Sequence, residues 1–231
     1  MLSIIIPTYN EEKYLPSLLK SIEEQHFKDS EIIISDADSQ DNTLKIARSF
    51  GSRIVKGGHP AKGRNNGALA SKGEILLFLD SDIILEKNFL RDCLRQIKED
   101  KLDVAGCYLK PIGNHLLDRI FFYIFNSWTF VTQFFYPNAS GAAIFCKKKI
   151  FDKVFGFDEN LKLSEDMDFV KRCGKISRFR LLNKRVLVSM RRFEKEGRLK
   201  VGSKLLMSAI YRLIFGEIRS DVFKYNLKYR K

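Results

Sequence analysis

The 231 residues, 45% of them hydrophobic, suit one large α/β domain with elaborations better than two separate domains. The four cysteines (Cys93, Cys107, Cys146, Cys173) make no CxxC pair and have no histidine at zinc-ligand spacing, which excludes a disulfide framework or zinc module and points to reduced core thiols of an intracellular protein. The net charge of +13 is confined to one end, with 22 basic and 24 acidic residues in 1–168 but 19 and 4 in 169–231, and such a block seeks phosphate, whether of nucleic acid, anionic lipid or a phosphorylated substrate.

Residues 2–6 read as a strand that starts at once, leaving no room for a signal peptide. Residues 11–25 form a helix with Tyr14, Leu15, Leu18, Leu19 and Ile22 on one face. A second strand (31–35), a second helix (42–50) and a short third strand (53–56) follow. A third helix, 63–71, is entered from the loop Gly57-Gly58-His59-Pro60. In 74–79 the apolar run Ile75 to Leu79 marks a strand buried on both faces of a parallel sheet. A helix over 87–100 and a strand over 104–109 complete this half. The alternation predicts a parallel, doubly wound sheet with right-handed crossovers.

From Ile120 to Cys146 there is no charged residue, and aromatics crowd the span 120–136. The length could cross a bilayer, but Asn126, Gln133, Pro137, Asn138, Ser140 and Gly141 interrupt it. A helix over about 116–135, aromatic around most of its girth, is read as interfacial or packed against a partner, with a core helix as the alternative. A strand over 139–146 and an acid-led helix over 164–173 come next. Residues 197–216 form a basic amphipathic helix with Leu199, Leu205, Leu206, Ile210, Leu213 and Ile214 apolar, and the final dozen residues suit a solvated basic tail equally well.

Ligands of open α/β sheets sit at the carboxyl ends of the strands, and polar clusters fall there. Asp80-Ser81-Asp82 offers hard oxygen ligands for Mg2+ or Mn2+ carrying substrate phosphates, or simply a turn. Pro7-Thr8-Tyr9-Asn10-Glu11-Glu12 places Tyr9 to stack on a base and Glu11 to reach a ring N–H, or caps a helix. Asp36-Ala37-Asp38-Ser39-Gln40-Asp41 holds more acids than an N-cap needs, and one can accept from a ribose hydroxyl or base. A Gly-rich fingerprint is missing after the first strand, which argues against an NAD domain and leaves phosphate to a metal at Asp82 with Lys62 and Arg64. Ser164-Glu165-Asp166 makes a good helix start, or supplies a general base.

Taken in order, residues 4–11, Asp36 to Asp41, Arg64-Asn65-Asn66-Gly67-Ala68, Asp80-Ser81-Asp82, and Gly156-Phe157-Asp158 with Glu165-Asp166 resemble the successive motifs of family 2 glycosyltransferases, over about residues 2–172. The resemblance implies a GT-A fold: a nucleotide-binding Rossmann-like half (1–110), an acceptor half (111–196) and a basic C-terminal extension (197–231). It further implies a nucleotide-diphosphate sugar donor, UDP-linked in preference to GDP-linked, a divalent Mn2+ or Mg2+, and inversion at the anomeric carbon. Pro7, Tyr9 and Glu11 would line the base, with Asp36 and Asp38 near base or ribose. Lys62 and Arg64 would lie near the phosphates, Asp80 at ribose or sugar, and Asp82 on the metal. Asp166 would be the catalytic base, with Glu165 orienting a sugar. The motif of the second strand departs from the family in having Ala37 for an acid and Asp38 for a glycine. Ser189-Met190-Arg191-Arg192-Phe193 loosely resembles a basic motif of some members, and Arg191 and Arg192 would clamp a diphosphate or an acceptor phosphate. The acceptor would be a sugar, a polyprenyl phosphate or a lipid-linked glycan, met peripherally at the cytoplasmic membrane face. The alternatives are a nucleotidyltransferase, against which the Glu165-Asp166 motif counts, and a basic nucleic-acid binder, for which no binding motif accompanies the charge.

Overall fold

Period-two alternation in the opening strand, β1 (Leu2–Thr8), sends Leu2, Ile4 and Ile6 to one face and Ile5 to the other. The computed structural model, which describes residues 1–219, continues with α1 (Leu15–Glu23), β2 (Ser30–Asp36), α2 (Thr43–Ser49), β3 (Arg53–Lys56), α3 (Pro60–Ala70) and β4 (Ile75–Leu79). These strands are parallel, as the sequence predicts, and lie in the order β3-β2-β1-β4. β5 (Ile83–Leu85), α4 (Phe89–Glu99), β6 (Val104–Pro111), α5 (Leu116–Thr132) and β7 (Ala143–Lys147) follow. The described chain ends with α6 (Lys148–Lys153), α7 (Glu165–Gly174), β8 (Phe179–Val188), α8 (Arg191–Glu196) and α9 (Arg198–Phe215). The expected basic tail, residues 220–231, lies outside the described residues.

Among the described residues all eight strands join one sheet, β3-β2-β1-β4-β7-β6-β8-β5, in which β7 and β5 alone run against the rest. Each face carries a core. Leu77 and Leu79 of β4 join α1 and α4 on one side, while Leu76 and Phe78 join the residues of α3, α6 and α7 on the other. There Phe78 meets Phe157 edge-on at 5.0 Å, and Phe157 stacks on Phe169 at 4.1 Å. Gly67 lets α3 lie close on the sheet, because a Cβ there would collide with Ile5 and the Ser35 Oγ.

Three differences from the sequence reading have local causes. The first helix begins at Leu15 because the Glu11 carbonyl accepts from both Tyr14 and Leu15, making a turn first. β8 has no counterpart in the sequence reading: its register against β6 jumps from Cys107↔Leu182 to Tyr108↔Arg185, so Asn183 and Lys184 bulge and break the alternation. β7 begins only at Ala143, leaving residues 139–142 as a loop. The four cysteines are free and buried, and burial plus a neighbouring thiol pushes Cys107 (beside Cys93) and Cys146 (beside Cys173) well up.

The aromatic segment does not fill the core. Asp118, Phe122, Thr129 and Thr132 of α5 are buried, whereas Ile120, Tyr123, Ile124 and Val131 are exposed. Among the described residues no helix is long and apolar enough to cross a membrane.

Phe78 is fully buried at the centre of the aromatic cluster, so Phe78→Ala should lower stability by about 3–5 kcal/mol in urea unfolding. Leu69→Ala, at an exposed position of α3, should change it by less than about 0.5 kcal/mol.

Candidate functional site

β1, β2 and β4 end side by side, and the loops that leave them are stitched together. Asp36 Oδ1 accepts from the Thr8 hydroxyl (2.9 Å) and the Ser39 hydroxyl (2.6 Å), and its Oδ2 accepts from the Ser39 N–H (2.8 Å). The Asn10 N–H donates to Ser39 Oγ, and Asn10 Oδ1 accepts from the Gln40 N–H. Asn10 (φ 53°) and Asp38 (φ 62°) occupy the left-handed region, where Asp is tolerated in place of Gly. The buried Asp36 therefore organises the loop with its own oxygens, and Asp38 is exposed at the tip. Pro7 packs under α3 against Gly63, and Tyr9 is half-buried beside it. Lys62 is exposed on the first turn of α3, with its stem over Gly58.

The last strand pair brings distant sequence to Asp82. β5 pairs with β8 (Ile83↔Val188), and the Ser189 N–H donates to the Asp82 carbonyl (3.1 Å), so Arg191 emerges beside that acid. Its guanidinium grips Glu11 with two bonds of 2.7 Å, reaches Asp82 Oδ2 through Nε at 2.9 Å, and lies 4.4 Å from the Tyr14 ring centre. Burial pushes the Asp82 carboxyl up to about 6; Arg191 opposes the shift, while the charges of Asp80 and Glu11 add to it. Burial works against the Arg191 charge, but Glu11 and Asp82 raise its pKa overall. Arg192 pairs with Glu196 along α8 (3.2 Å).

A second arginine links the two halves. Arg64 of α3 is 3% exposed; its Nη2 bonds Asp80 Oδ1 and its Nη1 bonds Glu165 Oε1, each at 2.7 Å. Its guanidinium also lies over the Phe157 ring at 5.4 Å. The next residue, Asn65, accepts from the Phe157 N–H and donates to the Phe157 carbonyl, fixing the Gly156-Phe157-Asp158 loop on α3. Asp166, one residue beyond Glu165, accepts from the Gly141 N–H at Oδ2 and from the Met167 N–H at Oδ1 (2.8 Å). A side chain at residue 141 would collide with Arg64 Nη2 and crowd Asp166 Oδ2. Burial pushes Asp166 up to about 6, and Glu165 adds to this while Arg64 and the two N–H donors oppose it.

The structure thus gathers Glu11, Asp82 and Arg191 in one group, and Arg64, Asp80, Glu165 and Asp166 in an adjoining one. The Ser164 hydroxyl makes no cap bond to α7. The sequence gives no role to Asn65 or Gly141: Asn65 stands inside the Arg64 motif and Gly141 among the residues that interrupt the apolar run, while Tyr14 reads as part of an apolar helix face. Among the described residues no group of three or more His, Cys, Asp or Glu side chains could hold a metal ion unaided. Asp80 and Asp82 still suit a cation that takes most of its ligands from phosphate and water, because such ions use one or two carboxylates. The raised Asp82 carboxyl, crowded by Asp80 and Glu11, fits a place that a cation would stabilise.

The sequence profile of "Glycosyl transferase family 2" matches residues 3–155. The chain belongs to this family. It is 30% identical over 178 residues to the poly(ribitol-phosphate) beta-N-acetylglucosaminyltransferase TarS of Staphylococcus aureus, covering 72% of this chain and 31% of that protein. It is 35% identical over 124 residues to the GalNAc(5)-diNAcBac-PP-undecaprenol beta-1,3-glucosyltransferase of Campylobacter jejuni, covering 49% of this chain and 40% of that protein. The chain therefore spans about a third to two fifths of the length of these relatives. The crystal structure of S. aureus TarS 1-349 in complex with UDP-GlcNAc superposes with a TM-score of 0.66 at 27% identity, covering 81% of this chain and 58% of that one. The fold is GT-A, an α/β sheet as the sequence implies.

Arg64 tests how the two halves are joined. Arg64→Met should leave Asp80 and Glu165 facing each other without a cation and lower stability by about 2 kcal/mol or more in urea unfolding. Arg64→Lys should recover only part of this, because one ammonium cannot reproduce the two-ended fork.

Proposed function

We propose that the protein is an inverting glycosyltransferase that moves a sugar from a nucleotide-diphosphate sugar to an acceptor, with Asp166 as the general base and Asp82 as the seat of a divalent cation. One observation carries this reading: a carboxyl raised to about 6, Asp166, stands beside the arginine that ties Glu165 to the acid pair after β4. A poised base and a phosphate-side acid are thereby held in one rigid frame. Pro7, Tyr9 and Glu11 line the base of the donor, and Asp36 and Asp38 shape the loop at its ribose. Asp80 faces the ribose or sugar. Asp166 takes the proton of the acceptor hydroxyl as its oxygen bonds the anomeric carbon, on the face opposite the departing nucleoside diphosphate, and the configuration inverts. Lys62, Arg191 and Arg192 supply positive charge for the leaving diphosphate, with Arg191 exchanging part of its contact with Glu11 and Asp82. Mn2+ or Mg2+ held by Asp82 would act as a Lewis acid on that diphosphate.

A UDP-sugar is the favoured donor, supported by the TarS structure solved with UDP-GlcNAc. A lipid-linked acceptor is supported by the PP-undecaprenol substrate in the name of the Campylobacter relative. The exposed apolar face of α5 and the basic last quarter support work at the cytoplasmic membrane face.

The test is metal-dependent hydrolysis of a panel of UDP- and GDP-sugars. Asp82→Ala should abolish the metal-stimulated activity; full retention would overturn the assignment. Asp166→Asn should lower kcat by about 10²–10⁴-fold while the donor KM stays within about threefold. Because the base works deprotonated, kcat/KM at saturating metal should be flat above about pH 7, about one unit above the pKa, and fall as pH drops through the Asp166 pKa of about 6. The same acid limb in Asp166→Asn would exclude Asp166 as its source.

A further inference from the structure

Two neighbouring helices of this fold carry apolar side chains on their outer faces as well as their inner ones. In α5 Phe122 is buried and Phe121 and Phe125 pack on the core beside the buried polar groups Asp118, Thr129 and Thr132, and the Asn126 amide is bonded to both the N–H and the carbonyl of Leu109. The outer stripe is apolar, with Leu117, Ile120, Ile124 and Val131 exposed. In α9 Val201, Ser208 and Arg212 are buried, while Leu199, Leu206, Met207 and Ile210 are exposed at one-turn and two-turn spacings on a single face. A water-facing helix keeps its outer face polar. The inward polar groups are satisfied, so both helices are seated as built and their outer faces await an apolar environment.

The helices start side by side. Arg198 at the start of α9 bonds Asp118 at the start of α5 (2.9 Å), and Gly202 passes Phe121 in the next turn. At the far end Arg212 interacts with Tyr136, just beyond α5. We propose that α5 and α9 form one platform whose outer face rests on an anionic lipid bilayer, presenting a lipid-linked acceptor to Asp166 at its far edge. Charge selects the lipid surface over a second copy of the chain. α9 has no acid and the one acid of α5, Asp118, is buried, while Arg119 and Lys200 are exposed at the rim. A two-fold dimer through this patch would set like charges against each other, whereas anionic headgroups complement them. Neither helix is long and apolar enough to span, so the platform lies on the surface.

The far edge reaches the candidate base. Arg212 Nη1 contacts the sulfur of Met167, the residue after Asp166, and Lys171 of α7 lies 5.1 Å from the Tyr136 ring centre. Asp166 thus stands one residue from the seam between platform and domain. The acceptor class rests on the glycosyltransferase reading; the seating on lipid does not.

Vesicle flotation of the full chain separates the two. Wild type should float with vesicles of phosphatidylcholine and phosphatidylglycerol, and Ile124→Glu combined with Leu206→Glu should weaken this by about tenfold or more. Unfolding temperature and hydrolysis of a soluble UDP-sugar should be unchanged in the double variant, while transfer to a vesicle-embedded polyprenyl-linked acceptor should fall with flotation. Failure of wild type to float, or equal flotation of the variant, would overturn the platform. So would a wild-type dimer in sedimentation that the variant abolishes with flotation intact. Normal transfer to the embedded acceptor by a variant that no longer floats would overturn the acceptor assignment alone. If no UDP-sugar is hydrolysed by wild type, the flotation result still decides the platform.

Discussion

A guanidinium that is almost wholly out of water ties α3 to the end of β4 and to the start of α7. Arg64 lies on α3, yet its two terminal nitrogens bond one acid after β4 and one at the start of α7, 101 residues away. A buried cation is strongly disfavoured without such partners, and neither carboxylate is placed well without the cation. The same contact explains the shape of its surroundings. Residue 141 has to lack a side chain, because the guanidinium and Asp166 take up its space. Phe157 lies against the arginine, and Asn65 fixes the Phe157 loop from the neighbouring position on α3. Asp166 carries the electrostatic consequence, since it is enclosed beside Glu165 and Arg64 only partly offsets the two acids.

Arg191 repeats the device from the other end of the chain. It joins Glu11 after β1 to Asp82 after β4, and it arrives through the pairing of β8 with β5. The basic last quarter is therefore not simply a phosphate-seeking surface. Arg191 neutralises Glu11 and Asp82 of the first half of the chain, Arg198 neutralises Asp118 of α5, and Arg212 and Lys171 hold Glu217 between them. Among the described residues of that block, Lys175, Arg178, Arg185, Lys195, Lys200 and Arg219 remain exposed.

What was legible in the sequence follows the range of the forces involved. β1, β2 and β4 are central, buried strands whose apolar runs announce them, and α4 has a clean amphipathic pattern. β8 escaped because a two-residue bulge disrupts its period, and β5 because three residues carry no periodic signal. The motifs supplied the site residues but not their pairings: Glu11 and Arg191 are 180 positions apart, and only a sheet topology that includes β8 brings them together. Asp36 was read as a ligand for base or ribose, and its oxygens are already committed to Thr8 and Ser39. For α5 composition was informative but direction was not. With apolar residues around most of the helix, the inward face is chosen by the few polar groups that can bond the domain, and Asn126 does so through the backbone of β6.

Charge balance connects the site to the ligand proposed for it. Glu11, Asp80, Asp82, Glu165 and Asp166 converge on the carboxyl edge of the sheet, and Arg64 and Arg191 oppose them. Full ionisation would leave this edge acidic, and the upward shifts of Asp82 and Asp166 come first from burial and then from the neighbouring acids. A nucleoside diphosphate brought there alone would meet net repulsion. Accompanied by a divalent cation it would bring the balance that Asp82 lacks, and Arg191 could then turn from the acids toward the phosphates. Donor and cation would therefore be expected to bind together, each raising the affinity for the other. The acid surplus that disfavours a free diphosphate would then also be what selects a metal-bound one.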